Sequence, residues 1–504
     1  TNTAGTDTAI LGAVSLSDAT LHLATIGTTA RMVVTNLTTG GAGNTLRVGL
    51  LPAITAYPAQ FRLIDYDGFI GGSGFNFTLA GLAAPYSGYL SNNTAQTSVD
   101  LVVTAGPVAQ AVTWTGSQNG NWDSIALNWR VGAAPTNFFN GDFATFDNSA
   151  PTATTVNLTG IVVPGAVAVN STLNYTFSGA GGIAGLGELT KQGPGTLTLN
   201  NSGNNSYAGM TTISGGILQV GNGGTSGSLG SGDVNNNAAL VFNRSDSLTV
   251  PHTISGSGAL SQSGAGVTTL SGANTFGGAV NIAQGTLKAG HNSALGTTNG
   301  ATTISSGATL DVGANNINLG LEPIFVSGSG VGDDGAIINS SGSGTFVGPN
   351  VAFVTMTGNT TFGGTGRWDL RSSNTANPAG AALSTGGNPF TLTKVGPNGV
   401  YLPGVTVDPA LGDVDIREGL LAIESGTTGI GNPDYTLTVR DGATLQLFNM
   451  TNLLNKRIVL NGTGTNNTVN NASGANLVIG PITLNGDCIF SAGGTSLTLS
   501  NVIG

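Results

Sequence analysis

Pairs of aspartates are the residues of this sequence most able to do chemistry. Two neighbouring carboxylates can bind Ca²⁺ or act as general acid and base, and residues i and i+2 of a strand share one face. The sequence contains three such pairs: Asp65 with Asp67, Asp333 with Asp334, and Asp413 with Asp415. Asp333 and Asp334, in GVGDDGA, are the best calcium candidates, because glycine lets backbone carbonyls approach an ion. A solvated turn is the interpretation that we prefer for each pair, and GVGDDGA lacks the repeat of calcium-binding β-rolls.

The other reactive residue types are scattered along the sequence. His22, His252 and His291 are far apart, no GxSxG nucleophile motif occurs, and no glycine-rich run continues into GK[ST]. Cys488 is the single cysteine, so no intramolecular disulfide can form, and its run DCIFSA predicts a buried strand position. We therefore predict no catalytic residue, no cofactor-binding residue and no enzymatic activity.

Charge and hydropathy limit the partners that the chain can have. The 504 residues include 24 acidic and 14 basic side chains, which gives a net charge of −10. Phosphate binding needs clustered Lys and Arg, so we expect no nucleic-acid partner. No apolar run is long enough for a membrane helix, so we expect no transmembrane segment. The sequence lacks an initiator Met and a signal segment, and we expect a processed or excised portion of a longer protein.

The residue pattern predicts an all-β protein. Only 8% of residues are charged, but 39% are hydrophobic, which is too apolar for a disordered chain. Leu, Ile and Val occur in short alternating runs, such as Val99, Leu101 and Val103 in VDLVVT. Gly and Asn, which tolerate the positive φ of tight corners, separate these runs.

A phrase of fifteen residues recurs along the sequence. Gly185–Leu199 reads GLGELTKQGPGTLTL, Gly256–Leu270 reads GSGALSQSGAGVTTL, and Thr391–Leu402 is a degenerate copy. The sequence that follows also repeats, since Tyr207–Gly221 aligns with Phe276–Gly290 at an offset of 69 residues. Self-similarity on this scale is typical of stacked repeat architectures.

The repeats favour a parallel β-solenoid over a β-sandwich or barrel, which short strands could also build. Leu197 and Leu199 alternate with Thr196 and Thr198, which predicts that the leucines point inward and the threonines outward. A coil of roughly 20–25 residues would stack its aliphatic row on those of its neighbours. Right-handed winding is the usual form of parallel crossovers. The predicted fold is therefore a right-handed parallel β-solenoid, or β-helix.

Changes in composition divide the chain into three predicted parts. Residues 1–107 form a β-rich segment, either a cap or the end of a preceding solenoid. Residues 108–151 form a junction between two solenoid or cap segments, because Trp114, Trp122 and Trp129 lie close together there. These three rings could be a glycan platform, but we expect a buried junction core. Residues 152–504 form the repeat-built solenoid.

The repeated segments resemble a known family. Leu189–Gly232 and Leu260–Gly296 are similar to the autotransporter-associated β-strand repeat, also called the passenger-associated transport repeat. Its pattern is close to LxKxGxGTLTLSGxNTYTGxTTVxxGTLxVG, and Leu392–Ser425 is a degenerate copy. The resemblance implies a right-handed β-helix, export to the surface of a Gram-negative-type bacterium, and a role in adhesion, biofilm or a surface layer.

These observations lead to three functional hypotheses. The first is an extracellular structural protein that associates end to end into a fibre, filament or matrix layer, because open solenoid ends expose strand edges. The second is a rod-like adhesin that contacts a glycan or a cell surface. The third is a polysaccharide-active β-helix enzyme, which would need carboxylates that converge in a groove.

Overall fold

The computed structural model describes residues 8–27, 29–150, 152–313, 317–342, 348–372 and 380–504. These residues form two compact units, Thr1–Asn222 with Ser226–Ala238, and Gly223–Thr225 with Ala239–Gly504. The described structure is all-β apart from a short 3₁₀ helix, Val331–Asp333. Within the described ranges no helix is long and apolar enough to cross a membrane.

The first unit begins with nine strands around one apolar core. They are β1 (Ala9–Ser17), β2 (Thr20–Thr25), β3 (Met32–Gly40), β4 (Asn44–Leu50), β5 (Ala59–Tyr66), β6 (Gly71–Gly72), β7 (Phe77–Ala80), β8 (Ser87–Asn93) and β9 (Ser98–Ala105). Strands β1, β3 and β5 pair in parallel, as do β2, β4 and β7. Strand β9 then pairs antiparallel with both β5 and β8. Val99, Leu101 and Val103 lie in the core, as predicted.

Stacked coils make up most of the rest of the first unit, after residues 129–131 pair antiparallel with 113–114 and with 134–136. Its strands are β10 (Ala111–Trp114), β11 (Asn121–Trp122), β12 (Trp129–Val131), β13 (Ala134–Thr136), β14 (Phe143–Phe146), β15 (Thr155–Leu158), β16 (Ile161–Val162), β17 (Ala166–Asn170), β18 (Tyr175–Ser178), β19 (Gly182–Ile183), β20 (Leu189–Gln192), β21 (Thr196–Leu199), β22 (Thr211–Ile213), β23 (Ile217–Val220) and β24 (Val234–Asn236). Leu189 pairs in parallel with Val167 on one side and Thr211 on the other, each 22 positions away. One coil of the predicted solenoid is therefore 22 residues here.

The second unit has the same kind of construction. Its strands are β25 (Ala239–Phe242), β26 (Ser247–Val250), β27 (Ile254–Ser255), β28 (Ala259–Gln262), β29 (Val267–Leu270), β30 (Val280–Ile282), β31 (Thr286–Ala289), β32 (Thr302–Ile304), β33 (Thr309–Asp311), β34 (Pro323–Gly328), β35 (Ile337–Asn339), β36 (Asn350–Val351), β37 (Phe353–Gly364), β38 (Trp368–Leu370), β39 (Ala381–Ser384), β40 (Leu392–Lys394), β41 (Gly399–Leu402), β42 (Val405–Val407), β43 (Val414–Ile416), β44 (Leu420–Glu424), β45 (Thr436–Val439), β46 (Thr444–Phe448), β47 (Arg457–Leu460), β48 (Thr463–Ser473), β49 (Ala475–Val478), β50 (Ile482–Leu484), β51 (Asp487–Ala492) and β52 (Ser496–Leu499). Leu240, Leu260 and Val280 are successive parallel partners, 20 positions apart and all buried.

The inward rows follow the predicted alternation. Leu197, Leu199 and Leu218 are fully buried, which confirms the aliphatic core of the coils. Thr198 differs from the prediction, because only 8% of its surface is exposed. Thr198 lies in register between Thr176 and Gln219 of the neighbouring coils. Because these coils are only about 4.8 Å away, their side chains cover an outward-pointing Thr198. The parallel β-solenoid is confirmed, and its right-handed winding stays a prediction.

The three tryptophans of residues 108–151 form a buried aromatic cluster. The ring centroids of Trp114 and Trp129 are 5.1 Å apart, and those of Trp122 and Trp129 are 5.3 Å apart. Phe146 contacts all three rings. Their burial rules out the open glycan platform in this structure. That this cluster is a junction between two segments, and the three-part division of the chain, stay predictions.

Candidate functional site

The calcium candidates lie on an exposed turn of the second unit. Asp333 and Asp334 are both exposed in and after the 3₁₀ helix, and Asp333 adopts a positive φ of 63°. The Ser329 hydroxyl donates a hydrogen bond to the Asp333 carboxylate. The part of the chain that the structure describes has no group of three or more His, Cys, Asp or Glu residues placed to hold a metal ion. Calcium binding at this turn stays a prediction.

Of the other two aspartate pairs, Asp65, Asp413 and Asp415 are engaged in local structure, and Asp67 is exposed. Arg62 lies 2.8 Å from Asp65, whose pKa is raised by burial and partly lowered again by that guanidinium. Asp415 lies 2.8 Å from both Arg417 Nε and Arg440 Nε. Burial alone would raise the pKa of Asp415, but hydrogen bonds from Arg440 and Arg417 bring it below the ordinary value. Asp413 accepts a hydrogen bond from the Thr436 N–H at 2.8 Å. The contacts of Asp415 with Arg440 and of Asp413 with Thr436 join neighbouring coils, whereas Arg62 and Asp65 lie on one strand.

The isolated histidines and the cysteine occupy separate surroundings. His22 and His291 are exposed, and His252 is half-buried. Cys488 is also half-buried, so the prediction of a buried thiol was wrong. It lies on β51, which is the last strand of its sheet, and the sheet therefore covers it on one side only. The Cys488 Sγ is 3.5 Å from the Gly486 carbonyl oxygen.

A buried lysine holds the turn of the first repeat. Lys191 belongs to β20, and its ammonium donates hydrogen bonds to the carbonyls of Gln192 at 2.7 Å, Gly193 at 2.9 Å and Gly215 at 2.9 Å. Gln192 is the last residue of β20, Gly193 begins the turn after it, and Gly215 belongs to the next coil. Gly193 has a φ of 69°, and a Cβ there would lie 2.7 Å from a backbone nitrogen of the preceding coil. The Lys-x-Gly spacing of the repeat is therefore a structural device.

The equivalent position carries a hydrogen-bond donor in the other copies as well. The Lys394 ammonium donates to two carbonyls of its own turn and, at 3.2 Å, to the Glu418 carbonyl of the next coil. In the second copy Gln262 takes the place of lysine, and its Nε2 donates to the Gly264 carbonyl at 2.7 Å. A side-chain amide can thus replace the ammonium, which shows that the position requires a hydrogen-bond donor rather than a positive charge.

Burial makes these ammonium groups less basic. It lowers the pKa of Lys191 to about 8, and it lowers the pKa of Lys394 to about 7, where the nearby Glu418 partly opposes it. Lys456, which donates to the Gly412 carbonyl at 2.6 Å, is a third example with a pKa of about 8. Each side chain is buried, so these lysines hydrogen-bond the turns of the folded chain and are closed to a substrate.

A buried asparagine links three successive coils at each full repeat. Asn205 accepts a hydrogen bond from the Ile183 N–H at 3.0 Å and donates to the Ser228 carbonyl at 2.7 Å. Asn274 repeats the arrangement, accepting from the Ile254 N–H at 2.9 Å and donating to a carbonyl 20 residues later at 2.8 Å. One amide therefore satisfies a donor of the coil before it and an acceptor of the coil after it.

Sequence reasoning missed both devices, although the repeats contain their signal. Lys191 and Gln262 occupy the same position of the two phrases, and Asn205 and Asn274 each precede a buried aromatic residue by two positions. A polar residue that recurs inside an apolar repeat must satisfy hydrogen bonds, because an unpaired buried polar group is costly.

A buried ion cluster on β38 was also missed. Asp369 accepts from Arg367 Nε at 2.8 Å and from Arg371 Nη1 at 3.1 Å. The Arg367 guanidinium lies 3.6 Å from the centroid of the Tyr401 ring. Burial raises the pKa of Asp369, and the two guanidiniums oppose it. The R-x-D-x-R alternation places these three side chains on one face of a strand, which is the signal that could have revealed the cluster.

Comparisons with known proteins agree with the resemblance of the repeats. Residues 189–220 and 260–289 match the family model described as passenger-associated-transport-repeat, so the chain carries two repeats of this family. A stretch of 90 residues is 46% identical to the Adhesin BmaC autotransporter of Brucella suis biovar 1 (strain 1330). That stretch is 18% of this chain and spans only 3% of the adhesin. No solved structure matches the chain significantly.

Proposed function

We propose, from its two passenger-associated transport repeats and its autotransporter relative, that this chain is part of the extracellular passenger of an adhesin. The repeats and the relative support a secreted protein at the surface of a Gram-negative bacterium. The observation that carries the proposal is the correspondence between the matched repeats and the coils. Each matched segment contains strands of the coils, a hydrogen-bond donor at the turn and the buried asparagine that joins one coil to the next.

The structure suits a scaffold that displays a binding surface. Coil-to-coil links by Lys191, Asn205 and their equivalents stabilise the stack without a disulfide. The polar, weakly charged outer rows keep the stack soluble. The adhesin relative suggests a protein without catalysis, and the pairing of Asp65 and Asp415 with arginines supports the same proposal.

A subunit of a surface fibre is the second candidate function. Parallel coils that pair strand on strand can add further coils by the same hydrogen bonds, and repeated head-to-tail contacts produce open filaments. The two candidates differ in their requirement for a partner, because an adhesin binds a foreign surface whereas a fibre subunit binds copies of itself.

An attachment assay with the purified full chain separates the candidates. Latex beads coated with the folded chain, or with albumin, are incubated with epithelial monolayers and immobilised matrix glycoproteins, and the uncoated protein is viewed by negative-stain electron microscopy. The adhesin proposal predicts saturable attachment well above that of albumin beads. Attachment equal to albumin, with circular dichroism that verifies the β structure, would contradict it. Uniform fibres without attachment would favour the second candidate.

A further inference from the structure

The antiparallel sheet of the first unit has an outer face that solenoid stacking does not explain. On this face β8, β9 and β5 align side chains in three cross-strand rows. The rows are Tyr89–Val102–Gln60, Ser91–Asp100–Arg62 and Asn93–Ser98–Asp65. Strands lie about 4.8 Å apart and alternate residues about 6.8 Å apart, so the face is about 10 Å wide and 14 Å long. Those are the dimensions of a short, flat ligand.

The middle column of the face is buried and the two flanking columns are accessible. Val102, Asp100 and Ser98 of β9 are buried. Tyr89 on one flank is 55% exposed, and the Arg62 side chain on the other is 38% exposed. An aromatic ring therefore stands free of the core beside a row of polar groups, whereas the tryptophans of the same unit are all buried.

Asp100 fixes the polar groups of both flanks. Its Oδ2 accepts hydrogen bonds from Gln60 Nε2 at 2.5 Å and from Asn93 Nδ2 at 2.9 Å. Arg62 is held in turn by the Asp65 carboxylate at 2.8 Å. An amide oxygen of Gln60, the guanidinium and the Asp65 carboxylate are thus presented in set orientations before any ligand arrives, which reduces the entropy lost on binding.

The centre of this network is incompletely satisfied. Asp100 Oδ1 and Ser98 Oγ are buried and have no hydrogen-bond partner among the residues that the structure describes. Native proteins contain few buried polar atoms of this kind, and each one calls for an explanation. Both atoms lie on β9, between the two accessible flanks of the outer face.

We infer that this face, formed by Tyr89, Gln60, Arg62, Asn93 and Asp65 around Asp100, binds a neutral oligosaccharide. A sugar offers an apolar ring face for the exposed tyrosine and many hydroxyls for oriented amide, guanidinium and carboxylate groups. Two carboxylates face one guanidinium, so the face carries surplus negative charge and disfavours acidic glycans. The inference rests on the proposed adhesive function and names the class of its ligand.

Saccharide binding by the full chain tests this inference. The probes are the trisaccharides of glucose, N-acetylglucosamine and mannose, with heparin as the anionic comparison, measured by saturation-transfer NMR. The variants are Tyr89→Ala and Gln60→Ala. The matched control is Phe69→Ala, because Phe69 is a 79% exposed aromatic residue outside the face. We expect at least one neutral probe to bind. Tyr89→Ala should weaken this binding at least tenfold at an unchanged melting temperature, and Gln60→Ala should weaken it at least tenfold in a chain that circular dichroism shows to be folded. Phe69→Ala should leave binding unaffected.

Two results would overturn the inference. One is the absence of binding to every neutral probe, and the other is binding that Tyr89→Ala leaves intact. The bead assay distinguishes this failure from failure of the proposed function. If wild-type and Tyr89→Ala beads attach equally well, the adhesive function stands and this face is rejected as the binding site. If no beads attach, the adhesive function itself is rejected.

Discussion

Replacing Lys394 by glutamine tests whether a buried ammonium really costs the repeat stability at neutral pH. The sequence itself supplies the substitution, because Gln262 occupies the same position in another copy and donates to the Gly264 carbonyl. Glutamine therefore keeps a donor at the turn and removes the titrating group. The substitution isolates the charge from the hydrogen bond.

The pKa shift sets the size and the sign of the effect. Burial lowers the pKa of Lys394 from 10.5 to about 7. Between these values the unfolded chain binds more protons than the folded chain, so stability rises with pH. The cost of the charge is full below pH 7 and disappears above pH 10.5. At about 1.4 kcal/mol for each pKa unit, the free energy of unfolding of the wild type should rise by about 2 kcal/mol between pH 7 and pH 9 from this group alone.

Urea unfolding at pH 7, 8 and 9 measures the effect. Lys394→Gln should remove about 2 kcal/mol of the wild-type increase in the free energy of unfolding over this range. Lys191→Gln should remove about 1 kcal/mol, because the pKa of Lys191 is lowered only to about 8. Parallel pH profiles for Lys394→Gln and the wild type would refute the reasoning, since they would show that the carbonyls compensate fully for the burial of the charge.

Three further predictions concern the coils and are read from thermal or urea unfolding. Leu199→Asp should destabilise the first unit by at least about 3 kcal/mol because it buries a charge. Thr196→Asp on the outer side of the same strand should cost less than about 1 kcal/mol. Equal effects would contradict the assignment of Leu199 to the inward row. Asn274→Ala should cost about 2–4 kcal/mol of the free energy of unfolding because it leaves a donor and an acceptor of neighbouring coils unpaired. The control Asn281→Ala, at an exposed position, should be nearly neutral. Similar losses for the two variants would argue against a link between coils by Asn274. Burial raises the pKa of Glu322 from 4.5 to about 7, so the folded chain binds a proton more readily than the unfolded chain and stability falls as pH rises through this window. Glu322→Gln should abolish about 3 kcal/mol of that fall. A pH profile of stability that the substitution leaves unchanged would exclude the burial of Glu322 as the cause of the fall.

The stacking of coils could be predicted because two levels of pattern agree. Alternation places Leu197 and Leu199 on one face, and the repeated phrase returns the same alternation at a fixed interval. When the turns and the inward row recur in this way, the repeat determines which strand each strand pairs with in parallel. The burial of Thr198 was not predicted, because alternation describes one strand, whereas burial also depends on the coils on either side.

The candidate binding face could not be predicted, because it depends on pairing between strands that no repeat specifies. Asp65 was noticed beside Asp67, its neighbour in sequence, but the fold places it opposite Ser98. The buried Lys191 was missed for a different reason. Lysine is rarely buried, so its residue type alone did not suggest the role that its hydrogen bonds to the turn carbonyls show.

Distances between spin labels on successive coils test the central claim most directly. With Cys488→Ser as background, single pairs of cysteines at Thr190 with Thr212, and at Thr190 with Asn235, place labels on adjacent and next-adjacent coils. The stacked parallel arrangement predicts strong dipolar broadening for the first pair and a separation that grows by about 4.8 Å for the second. Weak broadening for the first pair, or a second pair closer than the first, would contradict the stack of coils on which the proposed function rests.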